Sequence, residues 1–239
     1  MQRPVMLPSP MPSPGGPTHE PSVVANAAVP FDAILMAAGA GSRLGHRPKC
    51  LLQLDGVPLI LRQISALKAA GVDSLVVVLG FYADEIAPWL GGTGVQVVQN
   101  PDPAQGQISS QRIGLQQLRG RSNAVLMALA DQPMIDSRDV TDLIAGFAAR
   151  PAECLLMFPR VQGQPGNPVI FTPVVRDAVL SADQGIGCRQ WRQANRASAL
   201  PFDTDNTHYL IDIDTPEDID SLSRATGRSL SWPTDRKEG

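Results

Sequence analysis

The sequence predicts an α/β domain with a mostly parallel sheet and helices on both faces. Three short apolar runs, at residues 32–37, 74–79 and 124–130, have the near-continuous hydrophobicity of strands that are buried on both sides. Segments with helical periodicity lie between them, and strand–helix–strand units of this spacing form parallel sheets. A chain of 239 residues is long enough to bury such a core without disulfides or a structural metal.

The first strand–helix–strand unit is well marked. Residues 32–37 form an apolar run that ends in a glycine-rich turn, as a buried strand does. Residues 58–70 are typical of an amphipathic helix that starts near Pro58 and ends at Gly71. The apolar side of this helix consists of Ile60, Leu61, Ile64 and Leu67. The second strand follows at residues 74–79.

The same alternation continues along the chain. Further strands are predicted at residues 95–99, 124–130, 153–158, 168–171 and 208–213, and further helices at 83–90 and 107–118. Asp136 is a candidate N-cap for a helix whose apolar residues recur at i, i+3 and i+4. Thr172 and Thr215 each precede a proline, an arrangement favoured at helix starts. Thr215 and Asp218 also fit a capping box.

The sequence predicts one domain with a tail at each end. Residues 1–30 include seven prolines up to Pro21, and proline blocks both helices and sheet ladders. We therefore expect residues 1–30 to be a disordered, proline-rich tail. The domain is expected to span residues 31–227, and residues 228–239 are expected to form a flexible C-terminal tail.

Composition excludes several classes of function. The net charge is −3, from 20 basic and 23 acidic side chains, so no global positive field attracts nucleic acid or an anionic membrane. No apolar run approaches the roughly 20 residues of a membrane span. Cys50, Cys154 and Cys188 are far apart and include no C-x-x-C pair, which indicates reduced thiols in a cytoplasmic protein.

The turn after the first strand carries the first chemical motif. It reads Ala37-Ala38-Gly39-Ala40-Gly41 and is followed by Arg43 and Lys49. Glycines here let backbone N–H groups approach an anion closely. Neither a dinucleotide fingerprint nor a Walker A loop fits, because position 44 is leucine and Gly45 precedes histidine. Two cations beside such a cradle suit a triphosphate; the alternative is a tight turn with two surface cations.

Acidic residues at two predicted strand ends form the second motif. Asp131 follows the apolar run 124–130, where open α/β sheets place ligands and where a carboxylate can hold Mg²⁺ against phosphate. In a strand over 208–213, the period of two would put Asp212 and Asp214 on one face. Taken alone, that pair could equally be a solvated face with a helix cap. Together with Asp131, it favours a divalent-metal site.

These motifs, in this order, resemble those of the MobA-like nucleotidyltransferases, most closely the molybdenum cofactor cytidylyltransferase (MocA-type) branch. The shared motifs are A-A-G-x-x-S-R-L-G with P-K-x-L-L, L-x-D-Q-P, a glycine- and serine-rich segment from Gly106 to Leu115, and a final D-I-D-T-P-E-D. The resemblance covers residues 32–225. It implies a three-layer Rossmann-like fold of the GT-A, nucleotide-diphospho-sugar transferase type.

The resemblance also implies an activity and a set of site residues. The enzyme would use Mg²⁺ to move CMP from CTP onto a phosphorylated acceptor, molybdopterin or molybdenum cofactor, with release of pyrophosphate and with a molybdoenzyme as a further partner. The catalytic residues would be Arg43, Lys49 and Asp131. The nucleotide-binding residues would be Ala37, Ala38, Gly39, Ala40, Gly41, Arg43, Lys49, Gly106, Ser110 and Asp131. The metal ligands would be Asp131, Asp212 and Asp214.

The sequence departs from the family pattern in the half that would meet the acceptor. The family's G-H-P-V has an amide here, Asn167, and the arginine of its G-D-x-G-A-R is displaced to Arg189. The candidate acceptor contacts are Gln132, Asn167 and Arg189. Trp191 and its neighbouring arginines either contact an acceptor or belong to a partly buried amphipathic helix.

Three other functions stay open on the sequence. One is a nucleotidyltransferase with another acceptor, such as a sugar phosphate or methylerythritol phosphate. The second is a glycosyltransferase that uses a nucleotide sugar, which the Arg43 and Lys49 pair disfavours. The third is a non-catalytic accessory protein that binds nucleotide or cofactor and delivers it to a client enzyme.

Overall fold

A computed structural model describes residues 31–118, 122–183 and 185–233 of the chain. The strands are β1 Phe31–Ala37, β2 Gln53–Leu54, β3 Val57–Pro58, β4 Ser74–Leu79, β5 Gln96–Gln99, β6 Ala124–Leu129, β7 Leu156–Val161, β8 Gln164–Pro165, β9 Val169–Phe171, β10 Ala199–Asp203 and β11 Leu230–Ser231. The helices are α1 Leu59–Ala69, α2 Ala83–Ile86, α3 Gln107–Gln117, α4 Ser137–Ala148, α5 Pro173–Ser181, α6 Cys188–Ala194 and α7 Pro216–Thr226. The predicted tail at residues 1–30 lies outside the described residues.

The main sheet is mostly parallel, as predicted. Its strand order is β10-β7-β9-β6-β1-β4-β5, and β8 pairs with β7. The pairs β1–β4, β1–β6, β4–β5 and β7–β10 are parallel, whereas β9 runs antiparallel to both β6 and β7. Ala37 is in register with Leu79, and Met36 with Leu129, so β1, β4 and β6 end at the same edge.

Helices cover the sheet on both faces, which gives three layers. Alternate β1 residues point to opposite sides, and all seven are buried. Leu35 packs on one face with α1 and α4, through residues such as Ile64 and Val140. Ile34 packs on the other face, through Leu115 of α3 and the residues of α5 and α6. The predicted fold class is therefore confirmed.

A second, three-stranded sheet of order β11-β2-β3 lies beside the main one. Its core includes Leu54, Leu230 and Ile213, so it also packs against the segment that carries the last acidic motif. Arg47 stacks on Trp232, with its guanidinium carbon 3.9 Å from the ring centroid. The folded chain thus continues past residue 227, where a flexible tail was expected, because Leu230 is buried and pairs with Leu54. Residues 234–239 of that tail lie outside the described part.

The prediction of a strand at 208–213 is wrong. Residues Thr207–Leu210 form a 3-10 helix instead, and Asn206 caps its start. The side-chain oxygen of Asn206 accepts the His208 N–H at 3.0 Å. Residues 211–214 are irregular, and one bond of strand type remains, from the Ile213 N–H to the Asp131 carbonyl at 3.1 Å.

The predicted helix starts hold, with one difference in detail. Asp136 caps α4 in a capping box with Asp139, and Thr215 caps α7 in one with Asp218. Helix α5 begins after Thr172, but the buried Thr172 hydroxyl makes no capping bond and has no partner among the described residues. No helix in the described ranges is long and apolar enough to cross a membrane.

Candidate nucleotide site

A cleft of about 540 Å³ opens where β1, β4 and β6 end. Ten residues predicted from the sequence line it: Ala37, Ala38, Gly39, Ala40, Lys49, Gly106, Ser110, Asp131, Asp212 and Asp214. Parallel sheets bind ligands at the carboxyl ends of their strands, and the shared register of these three strands brings the two halves of the prediction together. The cleft is therefore the candidate site.

The glycine-rich loop is held in one conformation by backbone geometry. Gly41 has a φ of +56°, and a Cβ there would lie 2.0 Å from the carbonyl oxygen of Arg47, so only glycine fits. The Gly41 carbonyl accepts the N–H groups of Leu44 and His46 at 2.9 and 3.1 Å. The Tyr82 hydroxyl donates to the Ala40 carbonyl at 2.7 Å, which fastens the loop to the end of β4.

Lys49 is the centre of the charged end of the cleft. Its ammonium donates to Asp131 Oδ2 at 2.7 Å and to Asp214 Oδ1 at 2.5 Å, and its side chain is only 15% exposed. The Arg43 guanidinium also pairs with Asp214, but the Arg43 side chain is 65% exposed. The two predicted cations therefore meet through one carboxylate, with Lys49 inside the cleft and Arg43 at its edge.

This clustering shifts the pKa values of Lys49, Asp214 and Asp212 in definite directions. Burial would lower the pKa of Lys49, but Asp131 and Asp214 outweigh it and raise that pKa above 10.5. Burial would raise the pKa of Asp214, yet Lys49 and Arg43 hold it below 3.8. Partial burial of the carboxyl group raises the pKa of Asp212, and the negative charges of Asp131 and Asp214 raise it further. The residue as a whole is nevertheless exposed. Asp212 makes no ion pair within the described ranges, so it is the carboxylate that a bound cation would stabilise most.

The three carboxylates do not form a ready-made metal group. Across the residues described, no set of three or more His, Cys, Asp or Glu side chains is arranged to hold a metal ion. Instead, the Lys49 ammonium lies between Asp131 and Asp214, at 2.7 and 2.5 Å from their oxygens. The donor set still fits Mg²⁺, which is commonly held by one or two carboxylates together with substrate phosphates rather than by an all-protein cage. Asp131 and Asp212 are the residues that would hold it.

The cleft lining also includes apolar residues that were not predicted. Phe81 lines it and is 48% exposed, an unusual state for a large aromatic side chain. Ile86, Pro103 and Ala104 line the same cavity. Ser110 is buried and its hydroxyl accepts from the Asn100 amide at 2.9 Å. Phe81 could have been found from its place two residues after the end of β4, at the same sheet edge as the glycine loop.

Five predicted site residues do not line this cleft. Gly41 and Arg43 shape the loop beside it. Gln132 was expected to contact an acceptor, but it is 2% exposed and its amide donates to the Tyr209 carbonyl at 3.2 Å. Asn167 is half-buried, and its N–H donates to that same carbonyl at 3.0 Å. Arg189 is exposed on α6, away from the cleft lining.

The remaining sequence alternatives concern Trp191 and the cysteines. Trp191 is 9% exposed and belongs to α6, so the amphipathic-helix interpretation is confirmed. Arg192 stacks on Phe158, with its guanidinium carbon 4.4 Å from the ring centroid.

All three cysteines are unpaired and buried, and burial raises the pKa of Cys50 to about 12. Cys50 therefore stays a neutral thiol although it lines the cleft.

The fold and the cleft define the class of protein: an α/β domain of nucleotidyltransferase type, with a glycine loop and a half-buried lysine at the strand ends. Comparison with family models agrees with this class. Residues 33–199 match the MobA-like NTP transferase domain, and the chain belongs to that family.

Individual relatives of the chain carry names of different activities. The chain is 32% identical over 191 residues to a nicotine blue oxidoreductase of Paenarthrobacter nicotinovorans, which covers 78% of this chain and 93% of the relative. It is 29% identical over 171 residues to the bifunctional protein GlmU of Sorangium cellulosum, covering 69% of this chain. The chain spans only 35% of that GlmU's length.

Solved structures share the fold. Rv0371c of Mycobacterium tuberculosis H37Rv superposes with a TM-score of 0.70 at 24% identity, covering 82% of this chain and 97% of that one. A complex of Rv0371c with manganese has a TM-score of 0.65 at 21% identity, covering 82% and 100% of the two chains. A CMP:2-keto-3-deoxy-manno-octonic acid synthetase complexed with CTP has a TM-score of 0.62 at 15% identity, covering 83% and 98%.

Proposed function

We propose that the protein transfers CMP from CTP to a phosphorylated acceptor, molybdopterin or molybdenum cofactor, and releases pyrophosphate with the help of Mg²⁺. The observation that carries this proposal is the position of Lys49. It lies inside the cleft beside the glycine loop, 2.7 Å from Asp131 and 2.5 Å from Asp214. A largely buried ammonium between carboxylates at strand ends suits a ligand that brings its own negative charge and a counter-cation.

In this proposal the glycine loop and its cations bind the triphosphate. The backbone N–H groups of residues 39–41 face the β- and γ-phosphates, with Arg43 at the cleft edge. Lys49 exchanges its bond to Asp214 for an oxygen near the α-phosphate, where charge develops during transfer. Catalysis then comes from positioning and charge stabilisation, without a covalent enzyme intermediate.

The chemical step requires no general base. An acceptor phosphate oxygen, already ionised at neutral pH, forms a bond to the α-phosphorus of CTP. The bond between that phosphorus and the bridging oxygen breaks, and pyrophosphate leaves with the electron pair. This fits a cleft lined by no histidine among the residues described.

A divalent cation would be held by Asp131 and Asp212. When bound, Mg²⁺ would neutralise phosphate oxygens and polarise the reacting phosphorus. Burial, and after it the negative charges of Asp131 and Asp214, raise the pKa of Asp212, and such a cation would offset the charge repulsion. The solved Rv0371c complex with manganese supports the same class of ion.

The apolar lining of the cleft would take the base of the nucleotide. Phe81 is exposed there and can stack on a planar ring, while Gly106 and Ser110 offer polar groups near it. The choice of CTP is supported by the sequence motif around Ala37 and by the shared fold of a synthetase solved with CTP.

The test is pyrophosphate release from a panel of nucleoside triphosphates with Mg²⁺. Each nucleotide is supplied with molybdopterin, with a sugar phosphate, or with methylerythritol phosphate. Release that requires both CTP and molybdopterin supports the proposal. Release with another acceptor moves the function to that acceptor, and nucleotide binding without turnover supports the accessory-protein alternative.

One relative favours a second candidate of a different class. The match to the nicotine blue oxidoreductase extends over 93% of that protein, whereas the match to the Sorangium GlmU extends over 35%. An oxidoreductase that acts on nicotine blue could use the apolar lining of the same cleft. Reduction of nicotine blue by NADH or NADPH, with no pyrophosphate release from any triphosphate, would support this candidate and contradict the transferase proposal.

A further inference from the structure

Two buried glutamines, Gln63 and Gln132, lie behind the carboxylates of the cleft. Gln63 is 1% exposed and Gln132 is 2% exposed. Burying an amide is costly unless it makes hydrogen bonds, and an apolar side chain would fill the same space more cheaply. Both side chains use their amide N–H groups on backbone carbonyls rather than on ligands. We call these two residues the glutamine pair.

Gln63 holds the turn that follows Asp131. It lies on α1, and its Nε2 donates to the Gln132 carbonyl at 2.6 Å, with the Ile135 carbonyl at 3.5 Å. Helix α1 packs firmly on the sheet, since Leu59, Ile60 and Leu67 are fully buried. The turn is therefore anchored to a rigid element on its inner side.

Gln132 connects this turn to the segment that carries Asp212 and Asp214. Its Nε2 donates to the Tyr209 carbonyl at 3.2 Å, and the Asn167 carbonyl lies 3.5 Å away. The Tyr209 carbonyl also accepts the Asn167 N–H at 3.0 Å. A Cβ on Gly166 would lie 2.4 Å from that carbonyl oxygen, so three loops meet at one atom.

The segment from Tyr209 to Asp214 needs such anchors because it is not a strand. Outside the Tyr209 carbonyl, its anchors include the Tyr209 hydroxyl, which donates to the Asp139 carbonyl at 2.7 Å, and the buried Ile213. At its far end the Asp214 N–H donates to Asp218 Oδ2 at 2.9 Å, and the Asp214 carboxylate accepts from Lys49 at 2.5 Å. The Ile213 N–H donates to the Asp131 carbonyl at 3.1 Å, and its side chain is fully buried. The distance between the Asp131 and Asp212 carboxylates thus depends on the bonds that tie these two loops together.

We propose that the glutamine pair are positioning residues that hold Asp131 and Asp212 in the mutual geometry that binds a divalent cation with the nucleotide. This rests on the proposed function, because it concerns the cation of the same site. Groups that orient metal-binding carboxylates typically affect metal affinity by about 10–100-fold when removed. Among the described residues, the pair makes no hydrogen bond to Ala40 or Ser110, which accept from Tyr82 and Asn100.

The variants Gln63→Met and Gln132→Met keep the length of the side chain and remove its donors. The matched control is Ser122→Ala, which removes a buried hydrogen bond of 2.6 Å to Asp32 at the opposite end of β1. Each full-length variant is measured for thermal unfolding, for Mn²⁺ binding by electron paramagnetic resonance with a non-hydrolysable CTP analogue, and for binding of that analogue without metal. Hydrogen exchange of residues 207–214 is followed in parallel.

The expected result separates positioning from folding. Both glutamine variants should bind Mn²⁺ at least about tenfold more weakly and exchange residues 207–214 faster, with metal-free analogue binding within about threefold. Ser122→Ala should lower the unfolding temperature and leave Mn²⁺ affinity unchanged. Mn²⁺ affinities that follow the unfolding temperature across all three variants would overturn the proposal.

The failure of the proposed function would look different. In that case the wild-type protein itself would not bind Mn²⁺ with the analogue. Hydrogen exchange then still decides the role of the pair, because unchanged exchange at 207–214 in Gln132→Met would show that Gln132 does not hold this segment.

Discussion

The variant Lys49→Met removes the ammonium at the centre of the cleft and keeps most of the stem. In the wild-type protein this ammonium bridges Asp131 and Asp214. After the substitution, the three carboxylates of the cleft remain. Of the two cations described above, the guanidinium of Arg43 is left at the cleft edge, and its side chain is 65% exposed. We expect both lower activity and lower stability, since negative charges would face each other without their buried cation.

The size of each effect follows from the geometry. Loss of one preorganised donor aimed at developing charge costs about 10²–10³-fold in rate, or about 2.7–4 kcal/mol. Hydrogen bonds to charged groups each stabilise a protein by about 1.5–3 kcal/mol. Lys49 makes two of them, but Asp131 and Asp214 are 21% and 30% exposed and regain water when it is lost. A net loss of about 2 kcal/mol in the free energy of unfolding is therefore expected.

The assay is CTP-dependent pyrophosphate release, with urea unfolding measured on the same preparations. The matched control is Lys68→Met, because Lys68 is exposed on α1 and its ammonium donates to the Thr93 carbonyl rather than to a carboxylate of the cleft. The control should keep wild-type activity within about twofold. A Lys49→Met rate within threefold of wild type would refute the role of Lys49, whatever its effect on stability.

Three further predictions concern other parts of the cleft and its support. Phe81→Ala should weaken CTP binding about tenfold and leave tripolyphosphate binding within about twofold, because base stacking on an aromatic ring is worth about 1–3 kcal/mol; calorimetry that shows equal weakening of both ligands would contradict a base contact. Burial alone would raise the pKa of Asp214, but Lys49 and Arg43 lower it below 3.8. The contribution of Asp214 to the free energy of unfolding is therefore present above pH 3.8 and is lost as the pH falls through the folded-state pKa. Urea unfolding should therefore show a steeper loss of stability below about pH 4 for wild type than for Asp214→Asn, and parallel curves would count against this ion pair. Leu230→Ala should lower the free energy of unfolding by about 2 kcal/mol, since Leu230 packs in the cluster that includes Ile213, and a change under about 0.5 kcal/mol would show that β11 adds little.

The strands of the sheet centre were predictable because they are buried on both faces. Residues 74–79 and 124–130 read as unbroken apolar runs, and both became strands. The segment 208–213 misled because its apolar residues alternate like those of a strand. Asn206 starts a 3-10 helix there instead, and the burial of Ile213 still leaves Asp212 and Asp214 lining the cleft. The two-residue strand β11 carries too little local pattern to be predicted.

The nucleotide half of the site was predictable because its residues follow strand ends in the sequence. Register between β1, β4 and β6 then brings them together. The acceptor half of the site was not predictable, because the role of Gln132 depends on its neighbours in the folded structure. A glutamine beside a candidate catalytic aspartate looks like a ligand contact, but tertiary packing buries it against the carbonyl of Tyr209. Sequence reasoning also missed Phe81, whose value lies in its exposure within the cleft.

An isotope experiment can follow the α-phosphorus of CTP from the nucleotide to the acceptor. The protein is incubated with Mg²⁺, molybdopterin and CTP labelled with ³²P at either the α or the γ position. We expect the α label to appear on the acceptor and the γ label in pyrophosphate, and we expect Lys49→Met to slow this transfer about 10²–10³-fold. Label from the γ position on the acceptor, or no transfer by folded wild-type protein to any phosphorylated acceptor, would contradict nucleotidyl transfer by this cleft.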